Sequence, residues 1–210
     1  TLPMMTVRMQ FFPRLSLCLG CLTLAVSTSL AQSSRDAAKA VSQLDLYPGL
    51  EATLFASEPQ ILSPTNIGVD HRGRVWVCEV VNYRAHARNN KRPQGDRILI
   101  LEDTNGDGKA DTQKVYYQGR DVDAALGICV LGNRVIVTCA PNVIVFTDED
   151  DDDQPDSKRL LFTQTGRAQD DHSTHSFVFG PDGKFYWNMG NNGGFVHDAN
   201  GNLIVDTTGK

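Results

Sequence analysis

A unit of strand, glycine-bearing turn and strand occurs three times in this chain, and no other feature restricts its fold as tightly. The copies are Asn66–Val77, Gly127–Val137 and Ser176–Trp187, and their starts lie 61 and 49 residues apart. In the third copy Phe177 and Phe179 alternate with Ser176 and Val178, which is the period of a strand. Pro181-Asp182-Gly183 then turns the chain, with Pro181 presetting φ and Gly183 accepting φ > 0. A second repeated element follows the first: Arg97–Asp103 is echoed by Asn142–Asp148. Strands are expected at 52–56, 67–69, 74–80, 97–102, 113–117, 127–131, 134–138, 143–147, 159–163, 176–179, 185–188 and 203–205. Nothing after Leu46 has sustained helical periodicity. A four-stranded repeat of this length is a propeller blade. About three blades are present, and closure takes at least four. The expectation is therefore an all-β partial propeller, either a fragment of a longer protein or one completed by another chain, with the fragment preferred.

The chain ahead of the repeats has a different character. Arg8 and Arg14 precede an apolar run from Leu15 to Val26, and Ser29-Leu30-Ala31 offers the small residues that a signal peptidase reads. Residues 1–31 are expected to be a signal peptide, 32–45 a linker or frayed helix, and 46–210 the N-terminal half of the propeller domain. Export places the protein in the periplasm or at the cell surface. Membrane association would require an uncleaved signal, or a lipid anchor at Cys21. With the signal removed, Cys78, Cys129 and Cys139 remain, and all three read as small buried apolar residues, although one disulfide is allowed. The net charge of −5 in 210 residues argues against a nucleic-acid binder.

Much of the negative charge is concentrated in two loops. In Asp103–Asp111, the side-chain oxygens of Asp103, Asn105 and Asp107 fall at alternate positions, glycine follows, and Asp111 closes the loop. Oxygen-only donors in a tight loop suit Ca²⁺. In Asp148–Asp156 the alternate positions are Asp148, Asp150 and Asp152, with Asp153 where the first loop has Gly108. The first loop is the better candidate of the two, and a solvated acidic turn is the alternative for both. Both loops are expected between the third and fourth strands of a blade, on the outer rim.

The opposite end of the blades is expected to carry the chemistry. His172 and His175 lie at the entry to the third blade's innermost strand, and Asp121 and Asp123 occupy the matching loop of the second. The long loop from Asn82 to Asp96, with Arg84 among its cations, could bind an anionic ligand, and Asn191–Gly194 is its counterpart in the third blade. His172 is a candidate general base, and His172 with His175 a candidate metal pair.

His172, the run Phe179–Tyr186 and Gly190 together resemble the signature of the soluble glucose and sorbosone dehydrogenases. That resemblance implies a six-bladed propeller using pyrroloquinoline quinone with Ca²⁺. It sets His172 on the family's catalytic histidine, the base for hydride abstraction from a sugar or alcohol carbon; His175, Arg84 and Asn192, from their place in the loops at the same end, are the candidates for cofactor binding. One departure is that the family's Gly-Gly is Thr174-His175 here. The stretch 48–202 is still more similar to the membrane-bound dehydrogenase domain of large exported bacterial proteins, on the strength of Asn82-Tyr83-Arg84, the Asp-rich loops and Asp171–His175. There the propeller often precedes a cytochrome c module that receives the electrons. Haem would belong to that downstream module, since this chain has no Cys-x-x-Cys-His. The alternative is a non-catalytic propeller that binds carbohydrate or a protein partner.

Overall fold

Strands whose apolar residues follow one another in a run, rather than at alternate positions, must be covered on both faces. Strands β2 (Val75–Glu79), β3 (Asp96–Glu102), β6 (Arg134–Cys139) and β7 (Asn142–Thr147) are of this kind, and they form the centres of two sheets. The computed structural model describes residues 37–83, 91–168, 171–191 and 194–206. The expected signal peptide therefore lies outside the described residues. No helix among those described is long and apolar enough to cross a membrane.

The first sheet is an antiparallel meander of β1 (Pro64–Val69), β2, β3 and β4 (Thr112–Gly119). The second repeats it with β5 (Gly127–Leu131), β6, β7 and β8 (Ser157–Thr163). Two-residue alternation sorts the side chains between layers. Trp76, Cys78, Ile98 and Ile100 of the first sheet pack against Val135, Val137, Ile144 and Phe146 of the second. Their neighbours Val77, Leu99 and Leu101 turn the other way, onto Phe55 and Ile61 of the extended N-terminal segment. Likewise Ile136, Val143 and Val145 leave the second sheet's other face and meet Phe177, Phe185 and Trp187 of the third unit. The core is thus three apolar layers alternating with two sheets, the arrangement of neighbouring propeller blades.

The innermost strands stand side by side. Asn66 in β1 accepts a hydrogen bond from the Ile128 amide in β5 at 3.2 Å and donates to Ser176 Oγ at 2.9 Å in β9 (Thr174–Phe179). One amide side chain therefore links all three units. Gly127 is needed here, because a Cβ at that position would lie 2.9 Å from the His175 carbonyl oxygen. The same irregularity recurs in both complete sheets: the register slips between Ile98 and Leu99 against β4, and between Val143 and Ile144 against β8. The extra residues are Tyr116 and Leu161, and such bulges sharpen the local twist.

The third unit departs from the expected four-stranded blade. β9 pairs only with β10 (Phe185–Met189). A strand not expected from the sequence, β11 (Phe195–Asp198), pairs with β8 and with β12 (Leu203–Asp206), extending the second sheet to six strands. The open edge of β8 offers unpaired backbone groups, and β11 satisfies two positions of it, His197 opposite Thr163 and Asp198 opposite Phe162. Residues 52–56 form no strand; they run extended, with Phe55 accepting from the Ala110 amide at 2.9 Å. Ahead of them lie a short helix, α1 (Ala37–Ala40), and a 3₁₀ turn (Val41–Gln43) where a linker or frayed helix is expected. A cleft of about 470 Å³ between this segment and the first sheet is lined by Leu44, Phe55, Ile61, Val75 and Val77, and is apolar packing space. Cys78, Cys129 and Cys139 are free thiols; burial pushes Cys78 up to about 12, so it stays protonated.

One buried charge fastens the first sheet at the end that leads into β3. Glu79 is 1% exposed. Its carboxylate accepts from Arg97 at 2.6 and 2.9 Å, from Arg92 at 2.5 Å and from the Leu62 amide at 2.8 Å. Burial pulls the Glu79 acid upward, but Arg97 and Arg92 together hold it below its ordinary value of 4.5. A lowered folded-state value means the stabilisation is whole above the ordinary value and is lost as pH falls through the lowered one. Glu79→Ala would leave two arginines without their counter-charge and is expected to cost ~3–5 kcal/mol in urea unfolding. Below about pH 4.5, wild-type protein should lose more stability than Glu79→Gln, a difference readable in thermal melts. Equal acid sensitivity of the two would contradict this role.

Candidate functional site

The end of the sheets that leads into β3, β5 and β9 is built on carboxylates. Asp96 opens β3 with no exposed surface and gathers four backbone contacts. It accepts from the amides of Val81 at 2.8 Å, Asn82 at 3.0 and 3.2 Å, and Ala124 at 3.0 Å. Asp123 accepts from the Asp96 amide and from Asn82 Nδ2, both at 2.9 Å, and faces Arg120 Nε at 2.8 Å. Asn82 also exchanges hydrogen bonds with the Arg92 backbone at 2.7 and 2.9 Å. Burial, with Asp123 adding its charge, raises the Asp96 acid above its ordinary value, and the three amides oppose the shift. This lattice fixes both ends of the loop after β2. The sequence alone points to Asn82 and Asp123, but not to the roles of Asp96 or Glu79. Their signal was an acidic residue at the end of an otherwise apolar strand, where burial forces it to find partners.

Tyr83, next to Asn82, extends to the third unit and donates its hydroxyl proton to Asp171 Oδ2. Asp171 Oδ1 lies 3.9 Å from His172 Nε2, too far for a direct hydrogen bond. The His172 side chain is 52% exposed, so its ring reaches solvent at the head of β9. Its backbone is held instead by Gly190 at the end of β10. The Gly190 amide donates to the Ser173 carbonyl at 2.8 Å, and a Cβ on Gly190 would come within 2.5 Å of the His172 carbonyl oxygen. Ser173 and Thr174 are buried beneath, and among the described residues the hydroxyls of Thr138, Thr165 and Thr174 have no partner.

The structure thus brings together His172, Asp171 and Tyr83, an imidazole beside a carboxylate that a phenol orients. It separates other expected residues. His175 lies inside β9, with its carbonyl against Gly127, and no ligand cluster among the described residues contains a histidine. Asp121 points away from the Asp96 lattice and binds Tyr117 Oη at 2.9 Å and Lys158 at 2.7 Å. Arg84 and Asn192 lie outside the described residues. A quinone bearing several carboxylates needs a cationic cradle. At this end Arg92 and Arg97 are paired with Glu79, and Arg120 with Asp123, while the group next to His172 is itself an anion. These three arginines are therefore committed to carboxylates of the protein.

The two acidic loops sit where expected, between β3 and β4 and between β7 and β8. Each is built around its first aspartate. Asp103 accepts from the amides of Gly106, Asp107 and Gly108, and Asp148 from those of Asp151, Asp152 and Asp153. Asn105 accepts from Asp107, Asp107 from Lys109, and Asp111 from Thr104. Among the described residues, carboxylates converge only in the second loop, as Asp148, Asp150 and Asp156, or Asp148, Asp151 and Asp153. Asp152 instead accepts from the Gln154 amide. The converged carboxylates thus lie in the loop that the sequence ranks second.

Gly190→Ala is expected to push the His172 turn off its present course. Overpacking of this kind costs ~1–3 kcal/mol, and the His172 ring resonances should shift in an NMR spectrum. An unshifted spectrum would show that Gly190 does not set the histidine's position.

Comparison with known proteins places the chain. No curated protein sequence matches it. Among solved structures it is similar to the holo form of the pyranose dehydrogenase PQQ domain from Coprinopsis cinerea, at 22% identity and a TM-score of 0.47, over 63% of this chain and 29% of that one. It is similar also to the Trichoderma reesei enzyme of carbohydrate-active family AA12, at 16% identity and 0.43, over 61% and 28%. A third is virginiamycin B lyase from Staphylococcus aureus, at 13% identity and 0.34, over 70% and 56%. The chain spans less than a third of the first two proteins. The model of one sequence family, described as Domain of unknown function (DUF7133), matches residues 36–208, and the chain belongs to that family.

Proposed function

We propose that this chain is part of an exported propeller enzyme of the sugar- or alcohol-dehydrogenase kind, in which His172 takes the proton from a substrate hydroxyl. The observation that carries the reading is the placement of His172: solvent-facing at the head of an innermost strand, beside Asp171, with its backbone held by Gly190. A neutral imidazole accepts the hydroxyl proton, and the nearby carboxylate stabilises the imidazolium that results. Tyr83 holds Asp171 in place for that task. The electrons of the oxidation would leave to a quinone, and then to a downstream cytochrome c module, through residues other than those described. The chain's own chemistry ends at the proton. The remaining blades are needed for turnover, because a partial propeller leaves half of its channel open.

A second reading rests on Thr174 and His175, which stand where the sugar dehydrogenases have two glycines. Side chains there take up room that a close-lying cofactor would use, which favours a propeller that binds carbohydrate without oxidising it.

The test is dye reduction by the full-length gene product supplied with quinone and Ca²⁺, across a panel of sugars and alcohols. His172→Ala should lower kcat/KM by ~10²–10⁴-fold while sugar binding persists. Turnover undiminished in that variant would sink the assignment of the base. Saturable sugar binding with no turnover in the wild type would establish the second reading.

A further inference from the structure

We propose that the inner half of the first sheet's outer face is a docking surface, and that its occupant is the last sheet of the full-length propeller, a segment of this protein that lies beyond Lys210. The inference rests on the reading of the chain as part of a larger propeller, and it names the joint at which that ring closes.

Strand register defines the surface. Ile67 lies opposite Val77, and Val69 opposite Val75, on one face of the first unit. Ile128 and Val130 hold the same positions in the second unit, opposite Val137 and Val135. Phe177 and Phe179 hold them in the third, opposite Trp187 and Phe185. In the second unit this face packs on the first sheet. Ile128, Val135 and Val137 share a cluster with Trp76, and a Cβ on Gly68 would stand 3.5 Å from Val130 and 3.6 Å from Ile128. In the third unit it packs on the second sheet, with Phe177 meeting Ile136 and Cys129. Twice, then, this face of one unit is covered by the opposite face of the unit before it. The first unit has the same face, and no sheet among the described residues lies on it. Ile67 is 43% exposed and Val69 62%, whereas Ile128 and Phe177 are 3% and 5% exposed.

The N-terminal segment covers only the outer half. Phe55, Ala56 and Ile61 pack on Val77, Leu99 and Leu101. The segment is tied down by Gln60 Nε2, which donates to the Ala110 carbonyl at 3.0 Å, and by the Leu62 amide, which donates to Glu79 at 2.8 Å. The Val80 amide donates to the Ser63 carbonyl at 3.1 Å. What stays open is the cleft of about 470 Å³, with Ile67, Val75 and Val77 in its wall.

Contiguous apolar surface of this kind marks a binding face, and the repeat says what fits it. The occupant is a sheet presenting the face that carries Trp76 in the first unit and Ile136 in the second. Trp76 lies opposite Gly68, and Ile136 opposite Cys129. A matching sheet therefore offers a small residue on its innermost strand and a large apolar one on the next, and the large one enters the cleft. Because the N-terminal segment already occupies the outer half, the closing sheet docks through its inner strands alone.

The test is maleimide labelling of the native full-length gene product, with the wild type giving the background of the native cysteines. Val69→Cys should react at least about tenfold more slowly than Lys109→Cys, which lies on the exposed rim loop. Val69→Asp should lower the melting temperature of the full-length protein by ~5 °C or more, because it buries an unpaired charge. Equal labelling of the two cysteine variants, or an unchanged melting temperature, would overturn the inference. Protection of Val69→Cys that disappears on dilution to a monomer would assign the face to a second copy and overturn it as well. Turnover enters neither measurement. An active enzyme with Val69 exposed sinks this joint alone, and an inactive protein with Val69 covered sinks only the dehydrogenase reading.

Discussion

The two larger sheets among the described residues must each hide two faces, and that requirement organises the rest. A strand such as β3, with Ile98, Leu99, Ile100 and Leu101 in succession, cannot turn one side to water. Each of those side chains is worth ~1.5–3 kcal/mol when buried, against about 1 kcal/mol for an ordinary hydrogen bond. Packing therefore decides that sheets stack face to face, and polar contacts decide how they are aligned. Asn66 illustrates the division: its two bonds add little energy but specify the relative height of β1, β5 and β9. Where the stack stops, apolar residues remain exposed, among them Val178 and Tyr186 on the third unit.

The two ends of the stack differ in how they manage negative charge. At the His172 end, carboxylates are buried and held by specific donors. Glu79 has two arginines and is kept ionised; Asp96 has only backbone amides and a neighbouring aspartate, and its acid is pulled upward. These opposite shifts follow from partner type, since a guanidinium brings full charge and an amide only a dipole. The lattice then presents Tyr83 to Asp171, so the geometry beside His172 depends on residues two strands away. At the other end, acidic loops are exposed and compensate their charge through turns and through cations of the adjacent sheet.

Much of this was legible in the sequence because it is local. Strand alternation, the Pro181-Asp182-Gly183 turn and the position of both acidic loops between third and fourth strands depend on neighbouring residues only, and eleven of the twelve strands among the described residues were expected. His172 was legible as a candidate for a similar reason, sitting just before an alternating aromatic strand. β11 was not, because Phe195–Asp198 is short and becomes a strand by pairing with the edge of β8, some thirty residues back. Residues 52–56 misled in the opposite sense: their β-prone composition is satisfied by packing onto Val77 and Leu101 without a ladder.

By itself, then, the sequence determined that the chain is all-β, that its sheets recur, and that charge gathers in two loops and histidine at one strand entry. Those properties follow from periodicity and turn chemistry, which act over a few residues. The tertiary structure alone decided that the last hairpin joins the second sheet, that Glu79 and Asp96 anchor the His172 end, and that carboxylates converge at Asp148 rather than at Asp103. Each of these is a matter of which distant group arrives to satisfy an open edge or a buried charge. That is set by the packing of whole sheets, through contacts between residues far apart in the chain.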